Sequence, residues 1–335
     1  MKKFVSFFGE STDIFAELNK KASLYAAEKG LEYIWMPQEP FERENVICAL
    51  KDADAGLIDI QTYDEATFSR IKDRCRLLIR FGVGFDKVNL ADASKNGICV
   101  TRTTGANALS VAEMALAQIM ACARQFEKNR RTVESGVWVK NVGSEISGKT
   151  VGIIGFGAIG KKLAGLLKGF SCKVFIYDPN ADEKTEEEFG VVSVSLDEIY
   201  EKSDVISIHV PYIPATHHMV NKDAFSKMKK TAIVVCTSRG NIVDEEALYE
   251  ALKENRIMGA GLDVFADEPL SPDNPLIGLD NIILTPHVSG QTWDALWNTY
   301  KKAIDIASDF FAGRELSKED LLNPDYVLYT KELNC

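Results

Sequence analysis

The 335-residue sequence has no stretch that reaches the roughly 18 apolar residues of a membrane-spanning helix. At its start, Lys2 and Lys3 precede an apolar run that stops at Gly9-Glu10, too short for the core of a signal peptide. No membrane partner is expected. The sequence also lacks a basic run: the longest cluster, Lys128 to Arg131, reads as the solvated end of a helix. With 39 basic against 49 acidic residues the net charge is −10, a surface that repels phosphate backbones. Nucleic acid is therefore not an expected partner. Seven cysteines (Cys48, Cys75, Cys99, Cys122, Cys172, Cys236 and Cys335) form no CxxC pair, so neither a metal site nor a disulfide framework is predicted. Their odd, scattered placement points to a reducing compartment, the cytoplasm.

What is present is ordinary globular composition, 46% hydrophobic and 26% charged. The length exceeds the roughly 250 to 300 residues at which one core stops growing, so two domains are expected. Up to about residue 101, short apolar runs alternate with amphipathic ones: Phe4 to Phe8, Leu31 to Trp35, Gly56 to Ile60, Leu77 to Phe81 and Ile98 to Thr101. That is a βαβ series and predicts a parallel sheet. A run of helix formers from Asn107 to Arg130 then reads as one uninterrupted helix. A second series follows: Thr150 to Ile154, Lys173 to Tyr177, Val191 to Val194, Val205 to His209, Ala232 to Cys236, Gly259 to Val264 and Asn281 to Thr285. The helical pattern returns from Thr292 to about Phe311, assignable to either domain, before a polar, irregular tail.

The segment Gly155-Phe-Gly157-Ala158-Ile159-Gly160 ends a predicted strand and opens a helix, the setting the dinucleotide fingerprint requires. Gly155 can make the tight turn, Gly157 can admit a pyrophosphate, and Gly160 can let helix and strand pack closely. Asp178 ends the next strand, where a carboxylate would accept ribose hydroxyls and repel a 2′-phosphate; Pro179 and Asn180 supply no cation. NAD is expected over NADP. A glycine-rich turn beside a strand that happens to end in Asp would look the same.

Four histidines exist, at 209, 217, 218 and 287. His209 ends an apolar strand and His217 and His218 sit in a polar loop, all three fitting structural or solvated roles. His287 follows a strand and Pro286, where αβ proteins place ligands. Arg239 and Glu268 occupy equivalent strand ends, although a surface ion pair and a turn carboxylate would explain them singly. On one parallel sheet the three would converge on its carboxyl edge.

The chain resembles the D-isomer-specific 2-hydroxyacid dehydrogenase family. The marks are Arg80-Phe-Gly-Val-Gly-Phe-Asp86, Val111-Ala-Glu113, Gly155 to Gly160, His209-Val-Pro211, Thr237-Ser-Arg-Gly240, Gly261-Leu-Asp-Val-Phe265 with Glu268-Pro269, and Thr285-Pro-His-Val-Ser-Gly290. The resemblance implies an NAD-dependent enzyme interconverting a D-2-hydroxy acid and a 2-oxo acid. Arg239 would clamp the carboxylate and polarise the ketone with its planar fork. His287 would exchange the proton, and Glu268 would orient its ring and support its charged form. Amides of Gly82, Val83 and Gly84 would bind the substrate carboxylate, unless these glycines merely form a turn. Val210, Pro211, Thr216, Thr237, Ser238, Asp263 and Gly290 would line the cofactor, with Asp263 on the nicotinamide side or, equally, a buried structural acid.

The resemblance further implies two Rossmann-like domains: an NAD domain, 103–291, inserted into a flavodoxin-like substrate domain made of 1–102 and 292–335. It implies a homodimer, to which the helix from Asn107 would offer Val111, Met114, Ala115, Ile119 and Met120, although burial within the subunit explains these residues more plainly. Relatives acting on phosphorylated substrates carry cations after the third strand, whereas this chain reads Gly56-Leu-Ile-Asp59-Ile-Gln-Thr-Tyr63. A small unphosphorylated acid such as glyoxylate, hydroxypyruvate or pyruvate is expected. D-3-phosphoglycerate dehydrogenase, an NAD-sensing co-regulator that keeps the triad, and formate or phosphite oxidation stand as alternatives.

Overall fold

The computed structural model describes residues 1–38, 40–59 and 61–330; Ile60 and Cys335, which entered the reading above, lie outside them. The chain divides into two compact units, residues 108–292 and the residues on either side of that segment.

The first unit holds a five-stranded parallel sheet of β1 (Lys2–Ser6), β2 (Leu31–Trp35), β3 (Ala55–Ile58), β4 (Leu77–Arg80) and β5 (Cys99–Arg102). Their order is β2-β1-β3-β4-β5, the flavodoxin-like winding. Both faces are covered, which is why the strands read as continuous apolar runs. Phe4, Leu57, Leu77 and Ile79 enter one core with Leu18 and Ala22, and the alternate residues Val5, Ile58, Leu78 and Val100 enter the other with Ile47 and Phe68. The helix Trp293–Phe311, unassigned from sequence, lays Leu296, Tyr300, Ala303, Ile304 and Ala307 onto the first of these cores. Its helical spacing supplies the apolar stripe.

The polar tail is more ordered than its composition suggests. Asn323 Oδ1 accepts the Val100 amide at 2.7 Å, and its Nδ2 donates to the Ile98 carbonyl at 2.9 Å. Leu321 bridges to Thr101, and a short helix, Tyr326–Thr330, follows.

The second unit holds seven parallel strands: β6 (Thr150–Ile154), β7 (Lys173–Tyr177), β8 (Val192–Ser193), β9 (Val205–Ile208), β10 (Ile233–Cys236), β11 (Gly259–Leu262) and β12 (Ile282–Leu284). Their order is β12-β11-β10-β9-β6-β7-β8, so the winding reverses between β6 and β9. In open α/β sheets a ligand crevice forms at the carboxyl ends of strands flanking such a reversal.

The expected single helix over Asn107 to Arg130 is two helices, Ala108–Ala123 and Phe126–Glu134. The break falls where apolar burial ends. Ile119, Cys122 and Ala123 are buried, whereas the second helix buries no residue. Gln125 turns the chain in the left-handed region (φ 49°), and the returning segment satisfies the open end of the first helix, Ser144 donating to the Ala123 carbonyl at 2.7 Å. Gly143 is needed there, since a Cβ would lie 2.5 Å from that carbonyl oxygen. Burial within the subunit, the plainer of the two readings of the first helix's apolar face, holds for three of its five residues. Val111, Ala115 and Ile119 are buried inside the unit, leaving Met114 and Met120 partly accessible.

Among the described residues no helix is long and apolar enough to cross a membrane, and no group of His, Cys, Asp or Glu could hold a metal ion. The six described cysteines are free thiols.

Candidate active site

The glycine-rich turn leaves β6 at the winding reversal. Gly155 has φ +92°, and a Cβ on it would lie 2.8 Å from the His209 carbonyl at the end of β9. Gly160 packs equally closely, its Cβ position being 2.5 Å from the Gly155 carbonyl oxygen. Gly157 differs: nothing lies within 4 Å of a Cβ there, and it begins the helix Ala158–Leu167 without a side-chain cap. The first amides of that helix, at Ala158, Ile159 and Gly160, thus have an open approach suited to a phosphate. Asp178 follows β7 and ties the turn to that strand, Oδ2 accepting the Phe156 amide at 2.7 Å and Oδ1 the Asn180 amide at 2.8 Å. Each oxygen keeps a lone pair for a further donor.

Arg239, Glu268 and His287 leave three adjacent strands, β10, β11 and β12, past Cys236, Leu262 and Leu284, which are in register. His287 Nδ1 and Glu268 Oε2 are 2.8 Å apart. The other carboxylate oxygen accepts the Phe265 amide at 3.0 Å, so the acid is fixed before it fixes the ring. Gly240 brings the Arg239 loop against this one, because any Cβ on it would sit 1.9 Å from the Phe265 carbonyl oxygen. Arg239 is half-buried, and its Nη1 donates to the Ser238 carbonyl at 2.6 Å.

Asp263, expected to line the cofactor or equally to be a buried structural acid, anchors the loop. It is fully buried. Oδ1 accepts the Val288 amide at 2.9 Å and the Thr285 hydroxyl, Oδ2 accepts the Ser289 amide at 2.8 Å and its hydroxyl, and the backbone carbonyl accepts the His287 amide at 2.8 Å. These bonds hold His287 in the left-handed region, φ 53°. Thr285 and Ser289 were not singled out from sequence except within the motif, since their partner lies over twenty residues upstream.

The remaining cofactor-facing candidates divide. Val210 begins the loop that meets Gly155. Thr216 shapes that loop from within, its hydroxyl donating to the Pro211 carbonyl at 2.8 Å and accepting the Ile213 amide at 2.9 Å. Thr237 Oγ1 is buried without a partner at the end of β10, the kind of atom a bound polar group satisfies. The Ser238 hydroxyl lies 3.5 Å from Cys236 Sγ. Gly290 follows the Asp263-held turn and is half-buried. His209 is no proton carrier near neutrality: burial lowers its pKa to about 4, and Nε2 pairs with the Ser207 hydroxyl at 2.8 Å. His217 and His218 stack on each other in a separate loop at 4.0 Å.

In the first unit, the loop after β4 carries Gly82, Val83 and Gly84. Gly82 (φ +96°) already donates its amide to Thr103 Oγ1 at 2.8 Å, which leaves Val83 and Gly84 as the amides available to an anion. Asp59 is accompanied by a cation from the neighbouring strand, Arg80 Nη1 lying 3.5 Å from Oδ1. The stretch 56–63 itself holds no Lys or Arg, and the cation beside Asp59 comes from β4.

Residues 116–289 match the family model described as D-isomer specific 2-hydroxyacid dehydrogenase, NAD binding domain. A glyoxylate reductase of Korarchaeum cryptofilum is 38% identical over 262 residues, 76% of this chain and 79% of that protein. A hydroxypyruvate reductase of Thermotoga maritima is 36% identical over 282 residues, 83% of this chain and 90% of the relative. Among solved structures, an NAD-dependent formate dehydrogenase from Staphylococcus aureus in complex with NAD superposes with a TM-score of 0.76 at 32% identity, covering 96% of this chain and 98% of that one.

Proposed function

The chain belongs to the D-isomer-specific 2-hydroxyacid dehydrogenase family and is an NAD-dependent oxidoreductase; on that premise we propose that it reduces a small unphosphorylated 2-oxo acid such as glyoxylate, hydroxypyruvate or pyruvate to the D-2-hydroxy acid. The observation that carries the reading is the 2.8 Å bond between His287 and Glu268 on loops neighbouring that of Arg239.

The open Gly157, the uncapped helix behind it and the orphaned Thr237 hydroxyl fit a bound dinucleotide, with Asp178 meeting the ribose and disfavouring a 2′-phosphate. When bound, the reduced nicotinamide supplies the hydride. Arg239 binds the substrate carboxylate and polarises the ketone. Glu268 engages Nδ1, so Nε2 is the ring atom that hands a proton to the developing alkoxide. In the oxidation direction the same atom takes it back.

The molecule works as a homodimer in this reading, joined through the segment 126–142. Helix Phe126–Glu134 buries no residue, and Trp138 and Val142 are 84% and 85% exposed. A helix with no buried face gains little stability alone, which supports a covering second copy.

NADH oxidation followed with glyoxylate, hydroxypyruvate, pyruvate and a phosphorylated 2-oxo acid tests the substrate assignment. Turnover with at least one of the first three is expected, and exclusive use of the phosphorylated acid would refute the substrate class. A folded protein that binds NADH yet oxidises it with none would refute the enzymatic reading.

A further inference from the structure

Helix Ala108–Ala123 carries a buried side chain that the proposed chemistry does not use. Gln118 is 2% exposed. Its Nε2 donates to Thr285 Oγ1 at 3.0 Å, while its Oε1, also shielded from solvent, accepts from no donor. A buried unmatched acceptor is destabilising, and leucine would fill a similar volume without that cost. Strand β11 is cut away to admit the amide: a Cβ on Gly261 would lie 2.8 Å from both Cβ and Oε1 of Gln118.

The bonding continues inward from Thr285. Its single hydroxyl proton goes to Asp263 Oδ1, the same oxygen that accepts the Val288 amide, while the Asp263 carbonyl accepts the His287 amide. A hydroxyl that accepts from Gln118 has its proton directed away from the amide, toward the carboxylate. The left-handed backbone of His287 is thus held by a residue that is itself oriented from the helix behind the sheet. A non-glycine residue in that region is strained and stays there only when its surroundings over-determine it.

We propose that Gln118 and Thr285 are positioning residues for His287, fixing through Asp263 where the imidazole stands. The inference rests on the acid–base reading of His287. A misplacement of about 1 Å at a reacting group can cost up to about a hundredfold in rate, so partial loosening should show mainly in kcat.

The test uses the full chain as wild type, Gln118→Leu, Thr285→Val and Thr285→Ser. The readouts are kcat and KM for the best-used 2-oxo acid, NADH Kd, Tm, and the ¹H–¹³C imidazole signals of the free enzyme. Gln118→Leu should keep or raise Tm, because it removes the unmatched acceptor, yet lower kcat about tenfold with KM and Kd within about twofold. Thr285→Val should lower kcat likewise, and Thr285→Ser, which retains the hydroxyl, should stay near wild type. Wild-type kcat in both Gln118→Leu and Thr285→Val would overturn the proposal, as would equal impairment in Thr285→Ser or losses that follow a falling Tm. Should the wild type reduce none of the 2-oxo acids, only the functional reading falls, and the His287 signal still decides. A shift in Gln118→Leu and Thr285→Val but not Thr285→Ser supports positioning, and an unchanged signal in all three overturns it.

Discussion

His209 and His287 put the same ring near the ends of strands of one sheet, and their surroundings give them opposite work. His209 is buried beside Ser207, and burial lowers its pKa from 6.5 to about 4. His287 is 49% exposed on its side chain and faces a carboxylate at 2.8 Å. For His209 the folded value lies below the unfolded one, so the unfolded chain binds the extra proton as pH falls from about 6.5 toward 4, and stability falls with it. Its contribution should lower the unfolding free energy by about 2 kcal/mol between pH 7 and pH 5. Denaturant titrations at both pH values on wild type and His209→Gln check this: the pH-induced loss should be smaller in the variant, and an identical loss would remove His209 as its source. At this scale the three glycines of the turn, Asp178, Glu268 and His287 could each be placed at a strand end from local pattern, while the 2.8 Å pairing of Glu268 with His287 emerges only in the fold. The partners of Asp263 and Gly82 were not legible in the sequence. Which donors satisfy a carboxylate or which acceptor takes an amide depends on residues such as Ser289 and Thr103, brought near only by folding.

The strands could be read because both faces of each sheet are covered, which leaves unbroken apolar runs such as those of β4 and β10. Their observed ends fall within about two residues of the expected ones. The helix break at Gln125 could not, since glutamine is a good helix former and the cause is loss of packing beyond Ala123. That break launches the segment 126–142, whose apolar side chains have no cover within the unit. Trp138→Asp should convert a dimer into a folded monomer of about half the mass by light scattering, with an unchanged far-ultraviolet spectrum. A wild-type monomer, or a variant that stays dimeric, would place the interface elsewhere or remove it.

For the whole molecule, two parallel sheets with different windings follow from two βαβ series, and the carboxyl-edge rule directs attention to the same end of each strand. The convergence of Arg239, Glu268 and His287 comes from three adjacent strands in register, a consequence of topology that spacing along the chain only hints at. The proposed role of His287 as proton donor at that edge is the centre of the mechanism. Steady-state NADH oxidation by His287→Asn, with NADH affinity measured in parallel by fluorescence, tests it most directly. Turnover should fall by about 10² to 10⁴ while the Kd for NADH stays near the wild-type value. A variant that turns over the same 2-oxo acid at the wild-type rate would contradict the account.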